Sequence, residues 1–327
     1  MLDLVRDAIA SLPDALPKLG RMAVVRLSFP LPAARRRALE RRLRGREQVA
    51  KLRRADAVVV SYGKAGRTWL RVMLSGYYQR RYGLPERSLM NFDNFQRRNP
   101  RIPKIFFTHD NYIQDYTGHR DSKQDFYEKK VVLLVRSPQD TAVSQFFQWK
   151  HRMRPAKKGL NDYPEHGADV SVFDFVMRPG AGLPKIIDFM NRWAAEAPLL
   201  SKFLVVRYED MRRDPEAELR RVVRFIDGSS EDAALQHAVA FASVENMRTM
   251  EQRKTFWLSG VRMMPGDRSN PDSFKVRRAK VGGARDYFDD EQVARIDEVV
   301  CSKLSPIYGY RDGGGIAPGV PAPRIAP

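Results

Sequence analysis

The chain has 327 residues, 43% apolar and 30% charged, enough to bury one large core or two small ones. One cysteine, Cys301, excludes an intrachain disulfide and any Cys-x-x-Cys metal site; the five histidines show no His-x-x-x-His spacing, and no segment approaches the ~18 apolar residues of a membrane span. The net charge of +19 is unevenly placed, since residues 1–54 hold fourteen lysines and arginines against five acids.

Residues 1–54 read as a basic helical N-terminal extension. Leu2, Val5, Ala8, Ile9 and Leu12 recur at helical spacing, and Pro13, Pro17, Pro30 and Pro32 break the segment into pieces. Early charges and prolines argue against a secretory leader, so a cytoplasmic location is expected. The densest basic run, 35–54, lacks the interleaved aromatics of a base-stacking platform, so no nucleic-acid partner is expected. The run suits either a solvated surface helix or an anionic membrane surface, with Leu39, Leu43 and Leu52 as shallow insertion points.

The most informative stretch follows. The apolar run 57–61 reads as a strand and ends in Gly63-Lys64-Ala65-Gly66, and a helical pattern starts at once with Thr68, Trp69 and Leu70. Glycines let the backbone turn sharply and bring bare N–H groups near an anion, the helix start adds its positive dipole end, and Lys64 adds a mobile charge. The pattern points to phosphate or sulfate binding; the plainer alternative is a turn that binds nothing. It is not the Walker pattern, because Lys64 precedes the second glycine and no Ser or Thr follows it.

Further strands are predicted over 105–108, 131–135 and 203–206, and helices over 68–81, 139–152, 172–177, 183–195, 215–226, 232–240 and 291–304. Alternating strands and helices predict an α/β fold with a parallel, doubly wound sheet. His109 follows the second strand and Arg136 the third, at carboxyl ends where open α/β sheets place ligands. A neutral imidazole near pH 7 can accept a proton, although a lone histidine after a strand also serves structural roles. Ser137 and Pro138 suit a helix start, with Ser144 two turns on. Residues 253–276 are irregular and read as a lid, and residues 313–327 are Gly/Pro-rich and read as a disordered tail.

Taken together these residues resemble the sulfotransferases that use 3′-phosphoadenosine 5′-phosphosulfate (PAPS). The family's Tyr-Pro-Lys-Ser-Gly-Thr-Thr-Trp signature is matched by Tyr62, Gly63, Lys64, Ala65, Gly66, Arg67, Thr68 and Trp69. Its Arg-x-Pro-x-Asp-x-x-x-Ser signature is matched by Arg136, Pro138, Asp140 and Ser144. Tyr208, Glu209, Asp210, Met211, Asp214 and Pro215 match a third signature. Arg277, Arg278, Ala279, Lys280 and Gly282, with Tyr287 and Phe288 after them, match a fourth.

The resemblance implies a P-loop-like parallel sheet flanked by helices on both faces, in a single domain over 55–312. It implies PAPS as donor, adenosine 3′,5′-bisphosphate (PAP) as product and no metal. It implies that Lys64 and the backbone of Ala65 to Trp69 cradle the 5′-phosphate. Trp69, Tyr208 and Ser243 would stand at the adenine, Arg136, Ser144, Arg277, Arg278 and Ala279 at the 3′-phosphate, and His109 would be the general base. Trp69 as a plain core tryptophan and Tyr208 as plain packing remain open from the residues alone.

Several positions depart from the pattern. Phe107 stands where the family has lysine, Ala242 and Val244 replace threonine and phenylalanine, Ala279 replaces glycine, and Gly283 and Ala284 replace Asp-Trp. The family's dimer motif would fall on Arg285, Asp289, Asp290 and Ala294 and is essentially absent. A kinase using ATP would need Ser or Thr after Lys64, where Ala65 stands. A non-catalytic nucleotide- or sulfolipid-binding protein would be favoured by loss of Lys64 or His109, and both are present. The acceptor, a small molecule, lipid or glycan, is left open. Tyr112, Tyr116, Phe146, Phe147, Trp149 and Phe256 are candidates for an apolar acceptor wall, and Arg152, Arg154, Lys157 and Lys158 for an anionic one.

Overall fold

The structure, a computed structural model, describes residues 16–256, 263–267, 269–278 and 280–311. The expected helical repeat of residues 2–12, part of the expected lid, Ala279 and the expected tail lie outside the described residues.

Four strands form one parallel sheet in the order β2-β1-β3-β4: β1 Ala57–Ser61, β2 Ile105–Thr108, β3 Lys130–Val135 and β4 Lys202–Arg207. They fall where the apolar runs predict. β3 begins one residue earlier and β4 gains a residue at each end. Side chains alternate across the sheet, so each strand feeds two cores. Ala57 and Val59 pack with Val132, Leu134 and Val206 on one face. Val58 and Val60 pack with Val131, Leu133 and Val205 on the other.

Helices cover both faces. In chain order, residues 16–27 form α1, followed by α2 Ala33–Arg54, α3 Arg67–Tyr82, α4 Ile113–Thr117, α5 Pro138–His151 and α6 Pro155–Leu160. Then come α7 Val172–Met177, α8 Leu183–Glu196, α9 Tyr208–Arg213, α10 Pro215–Asp227, α11 Asp232–Phe241, α12 Val244–Arg253 and α13 Asp290–Lys303. The short helices α4, α6 and α9 and the polar α12 were not predicted. No helix among the described residues is long and apolar enough to cross a membrane.

The parallel register sets the site. Val60 lies opposite Thr108 and Ser61 opposite Leu134, while Val135 pairs with Arg207. The carboxyl ends of all four strands therefore share one edge. β1 connects to β2 on one side, and the chain then crosses to β3 on the other, so a crevice opens beyond β1.

The basic extension is docked. Val49 and Leu52 of α2 are buried in the core, and Leu39 and Leu43 are half-buried. This corrects the expectation that these leucines are available for membrane insertion. Arg41 donates to Asp115 at 3.1 Å and to the Leu160 carbonyl. Gly45 faces α4, where an added Cβ would stand 2.2 Å from the Tyr112 carbonyl oxygen.

This contact yields a test with opposite signs. Gly→Ala in an exposed helix interior stabilises by up to ~1 kcal/mol. Gly45→Ala is expected to destabilise by about 1–3 kcal/mol through overpacking. Chemical denaturation of the two proteins decides it, and a stabilised variant would show that α2 does not pack as described.

Candidate active site

The turn after β1 is strained to an unusual degree. Lys64 is left-handed at φ 72° and Gly66 at φ 98°. A non-glycine residue in that region costs of order 1–3 kcal/mol. Gly66 is needed twice over, because a Cβ there would meet Tyr208 Cδ2 at 2.6 Å. Gly63 likewise leaves room for Gln145, whose Oε1 would lie 2.8 Å from an added Cβ. α3 starts directly from Gly66 with no side-chain cap and no acid in its first turn. Its amino terminus therefore presents positive potential to the crevice.

The crevice holds a cavity of about 330 Å³. Lys64, Gly66, Arg67, Thr68 and Trp69 line it, as do His109, Arg136, Ser144, Tyr208, Arg277 and Arg278. Three expected site residues stand apart. Ala65 is buried beneath the loop, Ser243 caps α12 by accepting from Asn246 N–H, and Ala279 is outside the described residues. Val244 and Met247, next to Ser243, line the wall instead.

Lys64 has no carboxylate within ion-pair distance among the described residues. Burial pulls its pKa down to about 7, and the charges of Arg152, Arg136 and Arg277 act in the same direction. Such a lysine gains its full charge only when an anion arrives. The arginines around it are themselves held. Arg136 donates to Asp140 and to the Lys280 carbonyl, both at 3.0 Å, and lies 4.5 Å above the Tyr208 ring. Arg277 lies over Phe147 at 3.9 Å and donates to the Tyr287 hydroxyl. Trp69 donates from Nε1 to the Ala242 carbonyl at 2.9 Å and meets Tyr208 edge-on. It is both a cavity wall and a core anchor.

His109 sits where β2 ends. Its Nδ1 lies 2.7 Å from the Ser61 carbonyl oxygen and its Nε2 lies 2.6 Å from Arg67 Nη2. A carbonyl only accepts and a guanidinium only donates. The ring is therefore neutral, with its proton on Nδ1 and its lone pair on Nε2. Burial and then the Arg67 charge hold the imidazole pKa well below the ordinary histidine range. The Arg67 side chain was not foreseen here. The available signal was its place in the first signature, where the family has threonine, beside the loss of the family lysine at Phe107. Arg71, one turn further along α3, stacks over Phe107 at 4.1 Å.

The aromatic residues expected at an acceptor wall do not line the cavity. Phe146 and Trp149 belong to a separate core cluster, Tyr112 bonds Asn161 beneath the surface, and Phe256 is buried in the main core. Tyr62 and Tyr163 line it instead, and burial raises both phenol pKa values, that of Tyr163 to about 12. Of the four basic candidates only Lys157 lines the cavity. Arg152 is spent on Glu251 at 2.9 Å and on the carbonyls of Met264 and Ser273, which pins the described part of the expected lid. Glu251 also accepts from the N–H groups of Lys275 and Val276. Among the described residues no group of three or more His, Cys, Asp or Glu is placed to hold a metal ion.

The fold is a parallel α/β sheet with a cation-lined cavity at the end of its first strand. A family profile described as "Sulfotransferase domain" matches residues 54–307, and the chain belongs to that family. The flavonol 3-sulfotransferase of Flaveria bidentis is 25% identical over 281 residues, covering 79% of this chain and 84% of the relative. Cytosolic sulfotransferase 17 of Arabidopsis thaliana is 25% identical over 289 residues, covering 78% and 75%. The crystal structure of mouse sulfotransferase SULT7A1 complexed with PAP superposes with a TM-score of 0.51 at 20% identity, covering 82% of this chain and 91% of that one. The protein is a sulfotransferase with the P-loop-like α/β fold of that structure.

The state of Lys64 is directly measurable. The side-chain carbon signal of Lys64, assigned by its absence in Lys64→Arg, is expected to titrate near pH 7 and to move upward when inorganic pyrophosphate is added. Titration near the ordinary lysine value of about 10.4 would contradict the buried, cation-ringed setting.

Proposed function

We propose that the protein moves the sulfuryl group of PAPS to a hydroxyl or amine of a small-molecule acceptor by in-line displacement, with His109 as general base. The observation that carries this reading is the hydrogen-bonding of His109. Ser61 holds the Nδ1 proton, so Nε2 offers a lone pair to the cavity at neutral pH. An acceptor hydroxyl takes the place of Arg67 on Nε2 and gives up its proton as the new O–S bond forms. The S–O bond to the phosphate breaks and PAP leaves with the electron pair. Arg67, released from His109, meets the charge on the sulfuryl oxygens, in place of the charge absent at Phe107. Lys64 and the amino terminus of α3 face the charge that grows on the bridging oxygen. Arg136, Ser144, Arg277 and Arg278 hold the 3′-phosphate, which does not react.

The rival kinase reading lacks the hydroxyl that would follow Lys64 to hold a metal. A purely binding protein has no use for an oriented imidazole lone pair. His109→Ala is expected to lower turnover with PAPS by about 100-fold or more while PAP affinity stays within about twofold. A loss of only a few-fold would remove His109 from the chemistry.

A second observation favours attachment of this cytoplasmic enzyme to an anionic membrane surface. α1 is tied to α2 by Arg21, which meets Glu40 at 3.5 Å and Glu47 at 2.9 Å. Leu16, Leu19, Met22, Leu27, Phe29 and Leu31 are exposed, Leu27 at 77% and Phe29 at 74%. An apolar ridge beside a strongly basic helix matches an interfacial helix on anionic lipid. The full chain is expected to sediment with phosphatidylserine-rich vesicles at low salt and to be released at high salt. The Leu27→Ser/Phe29→Ser variant is expected to lose most of that binding. Absence of vesicle binding at low salt, or binding that ignores both salt and the double substitution, would overturn this mode of attachment.

A further inference from the structure

The stretch of chain that brings Arg277 and Arg278 to the cavity is fastened by two residues that do not reach it. Glu251, in the last turn of α12, is fully buried, and Arg152 stands at the end of α5 with its side chain 8% exposed. Neither lines the cavity. They pair at 2.9 Å, and both also bind backbone. Arg152 donates to the carbonyls of Ser273 and Met264 at 2.6 and 2.9 Å. Glu251 accepts from the N–H groups of Lys275 and Val276 at 2.8 and 3.2 Å. Arg248, one turn earlier on α12, donates to the Arg277 carbonyl at 2.8 Å.

From this knot the chain runs back along α5. Arg277 lies over Phe147 of that helix, and Gly282 and Ala284 donate to Asp140 in its first turn, each at 2.9 Å. Arg136 donates to the Lys280 carbonyl on the way. The two arginines take their polar partners from the same stretch of chain. Arg277 pairs with Asp272 at 3.3 Å, Arg278 pairs with Asp286 at 3.1 Å, and both donate to the Tyr287 hydroxyl. Their guanidinium groups therefore travel with the backbone, and where it is fastened decides where they stand relative to Arg136. A buried ion pair adds little net stability over an apolar pair of the same volume. What it supplies here is direction. The carboxylate and the planar guanidinium hold four backbone groups at fixed places, and aliphatic side chains would leave all four unpaired.

We propose that Glu251 and Arg152 are positioning residues that set the selectivity of the enzyme for a 3′-phosphorylated donor, by fastening Arg277 and Arg278 beside Arg136. This rests on the reading above in which those three arginines hold the 3′-phosphate, and it adds the residues that place two of them. Selectivity is thus decided at a buried pair that never touches the nucleotide.

The test uses the full chain and two nucleotides, with affinities measured by calorimetry. Adenosine 5′-monophosphate keeps the adenine and the 5′-phosphate of PAP and lacks only the 3′-phosphate. The parent is expected to prefer PAP by about 100-fold or more, as two charge-assisted bonds to one phosphate would give. Glu251→Gln is expected to cut that preference by about tenfold, while the affinity for adenosine 5′-monophosphate stays within about twofold of the parent. A buried arginine left without its carboxylate can unfold the single variant. Arg152→Met/Glu251→Leu removes both charges at similar volume, and it is expected to fold and to lose the preference in the same way. A preference unchanged in the folded variants, or an equal loss of affinity for both nucleotides, would overturn the assignment. A parent that binds the two nucleotides equally would instead strike the donor reading on which it rests, so the two failures are distinguishable.

Discussion

The close approach of Tyr208 to Gly66 is the contact on which the site depends. The tyrosine edge occupies the space a side chain at residue 66 would need, and the glycine alone accepts the φ of 98°. That contact joins the end of β4 to the turn after β1 and so fixes where α3 begins. Trp69, one turn into α3, is then held by Tyr208 on one side and by the Ala242 carbonyl on the other. Arg136 lies on the Tyr208 ring from the end of β3. Three strand ends are thereby bound into one wall before any ligand arrives, and the strain at Lys64 is carried by a turn with no freedom to relax.

Acids and bases divide their work within this frame. Asp140 holds the backbone of residues 282 and 284, and Glu251 that of residues 275 and 276. Glu209 accepts from Ser137 N–H and from the Tyr310 hydroxyl, and Asp210 pairs with Arg207 at 2.6 Å. These carboxylates satisfy buried donors and shape the loops; of them only Asp140 reaches the cavity wall. Burial first, and then the field of neighbouring cations, depresses the proton affinity of both Lys64 and His109. Burial beside Arg67 keeps His109 neutral, and the cations around Lys64 give the cavity a positive field that favours negatively charged ligands. In the reading proposed above, that setting serves both the donor and the proton transfer.

Much of this was legible in the sequence. The four strands announce themselves as short β-branched runs because a parallel strand buried on both faces must be apolar throughout. Helices α8 and α10 show strong amphipathic periods, and the turn after β1 shows its glycines. Lys64, His109 and Arg136 could be named because strand ends in such sheets share one edge, whatever the helices between them do. Of the helices of five or six residues, α7 was predicted from its apolar run, while α4, α6 and α9 escaped notice.

Other features belong to the tertiary structure alone. Which aromatics meet the cavity was decided by rotation of α5: Phe146 and Trp149 turn into their own cluster, while Tyr62 and Tyr163 from distant segments take the wall. The leucines of the basic extension read as free, yet Gly45 lets α2 lie against α4 and buries Leu52. The hydrogen bond between Arg67 and His109 joins residues 42 positions apart. Composition and local spacing specify elements and the edge where they end, because those follow from backbone sterics and burial. Which side chains meet across that edge follows from packing angles between elements, and a chain read in one dimension does not carry them.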